Sequence, residues 1–97
     1  MECKAVGNHV KIEGNIKSTS HFQTIFNEIE SLIKNNYKEL EIHILDSISL
    51  TSSVIGYFSK LVHADNIDVK VYVSDSQLYD LLEDLGLLNT LKVKQLK

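Results

Sequence analysis

The sequence predicts an α/β fold: a mixed, mostly parallel sheet of four to five strands with helices mainly on one face. Short alternating or β-branched runs, Leu40–Leu45 and Val69–Val73, are separated by segments whose apolar residues recur at three- and four-residue steps. Strands alternating with helices imply parallel strands joined by crossovers. A hairpin signal ahead of them adds an antiparallel edge, which makes the sheet mixed. The 97 residues suit one domain over 1–97 with one modest core.

The elements follow in order. Glu2–Val6 and His9–Glu13 flank Gly7-Asn8; glycine at the first central position suits a two-residue II′ hairpin turn. Val10 and Ile12 alternate with polar neighbours, as a half-buried strand requires. Ser20-His21-Phe22-Gln23 matches a capping box, and Phe22, Ile25, Phe26, Ile29, Leu32 and Ile33 form an amphipathic stripe behind it. Asn35-Asn36 ends that helix, since asparagine tolerates the left-handed conformation. After the strand Leu40–Leu45, a second helix is predicted from about Ser52 to Ala64, with Asp65-Asn66 as its turn. Val69–Val73 is the next strand. Ser74-Asp75-Ser76-Gln77 reads as a second capping box, Leu78, Leu81, Leu82 and Leu85 as the third apolar stripe, and Gly86 as its left-handed cap. Leu91–Val93 is placed as a short final strand.

Composition narrows the function classes. The formal net charge is −3 and no basic stripe occurs, which argues against nucleic acid; Lys92, Lys94 and Lys97 make only a short basic tail. No apolar run reaches membrane-spanning length, so no direct membrane insertion is expected. Met1-Glu2-Cys3-Lys4 lacks the apolar stretch of a signal peptide, and Cys3, the only cysteine, has no partner for an internal disulfide. The expected location is the cytoplasm, and Cys3 is read as a plain thiol. His9, His21, His43 and His63 show no two- to five-residue pairing with another His or Cys, so no metal and no cofactor are expected; His43 is read as a surface or strand-edge residue. No Gly-rich phosphate loop or Gly-x-Ser-x-Gly occurs, and Asp80, Glu83 and Asp84 read as a solvated acidic face. The sequence makes no positive case for an enzyme.

The most informative segment is Thr51-Ser52-Ser53-Val54-Ile55-Gly56, where a strand ends and a helix begins. A helix start presents free backbone N–H groups and the positive end of the macrodipole. The hydroxyls either cap the helix or offer a place for phosphate, which a helix N-terminus stabilises. Ile48 and Leu50 nearby either supply apolar binding energy or fold onto the core. Tyr57 falls off the main stripe of its helix and is expected to be exposed.

Three segments together resemble the STAS domain, the fold of anti-sigma factor antagonists: Gly14-Asn15-Ile16 after the hairpin, Asp46 to Gly56 from strand into helix, and Ser74 to Leu87 along the last helix. The resemblance covers nearly the whole chain. The family has a Gly-Glu-Leu-Asp-like segment, an Asp-Ser-Ser-Gly-Leu-Gly-like motif and a closing helix similar to Val-x-x-Leu-Leu-x-x-x-Gly-Leu. It implies a regulatory protein–protein interaction module in bacterial transcription control. The first serine of the motif is phosphorylated by a kinase that doubles as an anti-sigma factor, and the unphosphorylated form binds that kinase. The matching phosphorylation candidate is Ser52, with Ser53 second; Thr51, Ser53, Ile48, Leu50 and Tyr57 are the implied partner-binding residues. The implied partners are an anti-sigma-type serine kinase and a phosphatase, with the chain a monomer or weak homodimer.

The chain departs from the family pattern. Thr51 stands in place of Asp, Val54 in place of Gly, and Asn15-Ile16-Lys17 in place of Glu-Leu-Asp. The first exchange removes a carboxylate beside the phosphorylatable hydroxyl; the second narrows the backbone choices. They keep open a second expectation, a non-switching STAS-like subunit of a lipid-transport or other membrane-associated ATPase complex. A ligand sensor is a third, though no residue pattern picks out a ligand.

Overall fold

The computed structural model describes residues 1–96; Lys97, counted above in the basic tail, lies outside the described residues. The elements are β1 (Glu2–Val6), β2 (His9–Glu13), α1 (Thr19–Lys34), β3 (Glu39–Leu45), α2 (Ser52–His63), β4 (Asp68–Val73), α3 (Ser76–Asp84) and β5 (Lys94–Gln95). One five-stranded sheet runs β1-β2-β3-β4-β5. Its first pair is antiparallel and the others are parallel. The mixed α/β class read from the sequence is the observed one.

The turns follow from local chemistry. Gly7 takes φ +59° while Asn8 stays out of the left-handed region, the sign pattern of a II′ turn. α3 ends in a Schellman motif: Gly86 at φ +71° donates to the Glu83 carbonyl at 2.9 Å, and Leu87 donates to the Leu82 carbonyl at 2.9 Å. Asn36 at φ +69° closes α1 the same way.

Three boundaries differ from expectation, each because another group is better placed. α1 starts at Thr19, capped by Ser18 rather than Ser20; the Ser18 Oγ accepts from the His21 N–H at 3.2 Å. α3 is capped by Asp75 rather than Ser74. One Asp75 carboxylate oxygen accepts from the Gln77 and Leu78 N–H groups at 2.8 and 3.4 Å, two of the donors a helix start leaves orphaned. The Ser74 hydroxyl is already committed, accepting from the Asp46 N–H at 2.9 Å. The last strand is Lys94–Gln95, not Leu91–Val93. Lys92 sits at φ +48°, which breaks an extended run there, while Leu91 and Val93 are buried as core plugs.

Strand order in the sheet follows chain order, so crossovers of one hand carry all three helices to the same side. α1 lies over β1 and β2, α2 over β4, and α3 over β4 and β5. On that side Val10, Ile12, Leu40, Ile42, Ile44, Val69, Val71 and Val73 form the floor of one core. Ile25, Ile29, Phe58, Leu61, Leu78 and Leu82 press down from the helices. The alternate residues, among them His9, Lys11, Glu41, His43, Lys70 and Tyr72, form a face without helices. Among the described residues, no helix is long and apolar enough to cross a membrane.

Two positions give direct tests of this packing. Gly56 lies exposed inside α2, with nothing within 4 Å of where a Cβ would sit. Glycine in a helix interior is about 0.5–1 kcal/mol worse than alanine. Gly56→Ala is therefore expected to raise the unfolding free energy by about that much in urea denaturation. Cys3 is half-buried on the core side of β1; burial, then the Glu28 carboxylate, pushes its thiol up to about 11. Only the thiolate reacts with alkylating reagents. Iodoacetamide at pH 8 should modify native Cys3 about two orders of magnitude more slowly than the denatured chain.

Candidate functional site

The loops that follow β2, β3 and β4 gather at one end of the sheet, beyond the C-terminal ends of the parallel strands. Open α/β sheets characteristically place their sites at this end. Side-chain bonds between residues far apart in sequence stitch these loops together. The Ser47 Oγ is buried, accepts from the Ile16 N–H at 3.2 Å and donates to the Ser49 carbonyl at 2.7 Å. Asn15 Oδ1 accepts from the Ile48 N–H at 3.1 Å. The Gly14 N–H reaches the Leu45 carbonyl at 2.9 Å. The Ser74 hydroxyl contact with Asp46 joins the third loop to the other two. The result is a braced platform from which α2 departs.

At the start of α2, Thr51 is the N-cap, with extended backbone at φ −75° and ψ 155°. Its Oγ1 accepts from the Val54 N–H at 3.3 Å and its carbonyl from the Ile55 N–H at 3.1 Å. Those bonds use the third and fourth helical N–H groups. The first two, on Ser52 and Ser53, have no intrahelical acceptor by their position. Neither the first turn of α1 nor that of α2 contains an acidic residue. Between the two helix starts lies a shallow depression of about 120 Å³ lined by Lys17, Ser18, Thr19, Phe22, Thr51 and Ser53. Two macrodipole ends and one lysine therefore set a positive potential there.

The sequence-selected residues separate into two groups. Ser52 and Ser53 are both exposed; Ser53 lines the depression and Ser52 stands beside it. Thr51 is half-buried, its hydroxyl oxygen occupied as the cap. Ile48 is 52% exposed, a large apolar side chain in solvent in the loop that leads into α2. Leu50 is buried and belongs to the core, so it is unavailable to a partner.

Tyr57 is a correction: expected to be exposed, it is buried. It belongs to the stripe Val54, Tyr57, Phe58, Leu61, whose steps are those of one helix face. Its ring packs edge-on against Phe22, with centroids 5.9 Å apart, and lies 5.1 Å from Phe26. Its hydroxyl donates to a Glu30 carboxylate oxygen. Burial, and then that bond, hold the phenol well above its ordinary range. Tyr57 is thus the joint between α1 and α2.

Other contributors were not legible from local spacing. Asn15 and Ser47 act through bonds that cross 33 and 31 residues of chain. Lys17 reaches the site because the Asn15–Lys17 loop lies beside the start of α2. On the helix-free face, parallel pairing sets His9 opposite Glu41, with His43 on the same side of β3. β3 is the central strand, so His43 is not at a sheet edge. Comparison with models of protein families, with curated proteins and with solved structures gives no match to this chain.

Proposed function

We propose that the chain is a cytoplasmic regulatory module of the anti-sigma factor antagonist kind, switched by phosphorylation of Ser52. Its partner is an anti-sigma-type serine kinase, and a phosphatase resets it. The observation that carries this reading is the exposed Ser52-Ser53 pair at the mouth of α2, with exposed Ile48 in the braced loop that leads into it. A partner seated here would cover Ile48 and touch both hydroxyls. A phosphate on Ser52 brings about −1.5 to −2 charge and three strong acceptors. The helix start accommodates that charge without a change of fold. A docked polypeptide surface would have to desolvate it, and the complex would dissociate.

Intact-protein and peptide mass spectrometry after incubation with the genomic-neighbour kinase and ATP tests the reading. One phosphate on Ser52 is the expected result; no phosphate on any hydroxyl overturns it. The neutral Thr51 cap, where the resembled family carries a carboxylate, favours a second reading: a non-switching subunit of a membrane-associated ATPase complex. That reading predicts stable co-purification with the complex whatever the state of Ser52.

A further inference from the structure

We propose that the helix-free face of the sheet carries a binding site for a borderline divalent transition-metal ion, zinc foremost, formed by His9, Glu41 and His43. Their ligating atoms all lie within 4.8 Å of one another. His9 Nε2 is 3.3 Å and His43 Nε2 3.8 Å from the same Glu41 carboxylate oxygen. Ligands about 2.0–2.2 Å from a tetrahedral ion stand roughly 3.3–3.6 Å apart, so small side-chain rotations suffice to close the shell.

The arrangement is held by the sheet. His9 and Glu41 are direct neighbours across the parallel β2–β3 ladder, and Glu41 and His43 are alternate residues of the central strand. The His43 ring lies between Tyr72, with centroids 4.7 Å apart and 24° between planes, and His9, at 6.1 Å and 17°. That stacking limits rotation of the imidazole. Its Nε2 is buried and has no hydrogen-bond partner among the described residues. Buried polar atoms normally have a partner, and at 3.8 Å the carboxylate is beyond hydrogen-bond reach. A metal ion between the two would give that nitrogen the partner it lacks.

The neighbouring lysines leave the carboxylate to the imidazoles: Lys70, across from Glu41 on β4, makes no ion pair with it among the described residues. Among the described residues, the ion pairs of Glu41 are with these two imidazoles alone. Lys11, across from His43, is drawn to Glu13 at 3.1 Å. Two imidazoles and one carboxylate suit zinc, nickel or copper, whereas magnesium and calcium prefer all-oxygen shells. Three protein ligands leave a position for water, so the site would be open and exchangeable. An ion there ties β2 to β3 on the side no helix covers. The proposal is independent of the strand-end serines.

Calorimetric titration of the full chain with zinc in a non-coordinating buffer tests it. One ion per chain is expected. His9→Gln, Glu41→Gln and His43→Gln should each weaken binding at least tenfold, while His63→Gln, exposed at the end of α2, should stay within twofold. Cobalt titration should give visible ligand-field bands that His43→Gln abolishes. Metal-free circular dichroism establishes that each variant is folded; His9, 59% exposed, is the substitution least coupled to folding. Absence of one-to-one binding, or unchanged zinc affinity in folded His9→Gln and His43→Gln, overturns the proposal.

Discussion

Phe58→Ala is expected to lower the unfolding free energy by about 3–5 kcal/mol, the range for removing a buried aromatic ring. Phe58 is fully buried and heads the large side chains of the core. It projects from α2 into the layer between helix and sheet, where α2 lies against β4. Its neighbour Tyr57, with ring centroids 6.4 Å apart, is anchored in turn against α1. The cavity therefore opens where two helices and the sheet meet, and little can collapse into it. Domains of this size carry only about 5–15 kcal/mol in total, and each kcal/mol moves the melting midpoint by roughly 4–8 °C. Denaturant titration should show the loss in the midpoint with the slope preserved. A loss below about 1 kcal/mol would mean that α2 is not seated on the sheet through Phe58.

Ser52→Asp is expected to weaken binding to the anti-sigma-type kinase at least a hundredfold while leaving the fold intact. The two effects separate because one position serves both. Ser52 is exposed in the first helical turn, where a carboxylate interacts favourably with the macrodipole. The free domain should therefore be unchanged or more stable by about 0.3–1 kcal/mol. In an interface the same carboxylate is a buried charge without a partner, costing several kcal/mol. At about 1.4 kcal/mol per tenfold, 3 kcal/mol already exceeds a hundredfold. Ser52→Ala should bind normally and fail to accept phosphate. Titration calorimetry against the kinase measures both variants; wild-type affinity in Ser52→Asp would remove the charge-block mechanism.

Much of the architecture was legible because it is written in local patterns. Alternation marked β2, β3 and β4, and glycine at position 7 marked the hairpin. The helix boundaries were less legible, because several residues there are chemically fit to cap. Ser18 and Ser20 are both good caps, as are Ser74 and Asp75; Ser18 is the one whose Oγ accepts from the His21 N–H, and Asp75 caps α3 while the Ser74 hydroxyl is spent on Asp46. Tyr57 is buried because the core-facing side of α2 runs through it. The fully buried set advances by three, one and three residues, and Ile55 and Val62 are only half-buried at its margins.

The sequence by itself determined the order and type of the elements and the position of a hydroxyl cluster at the start of α2, since periodicity, turn chemistry and capping act over a few residues. Tertiary structure alone decided which of those residues face solvent: Ile48, Ser52 and Ser53 outward, Leu50 and Tyr57 inward. It alone joined Asn15 to Ile48 and Ile16 to Ser47, and brought His9 to Glu41 and His43. Those relations depend on strand register and helix packing, which bring together residues about thirty positions apart and leave no trace in local spacing.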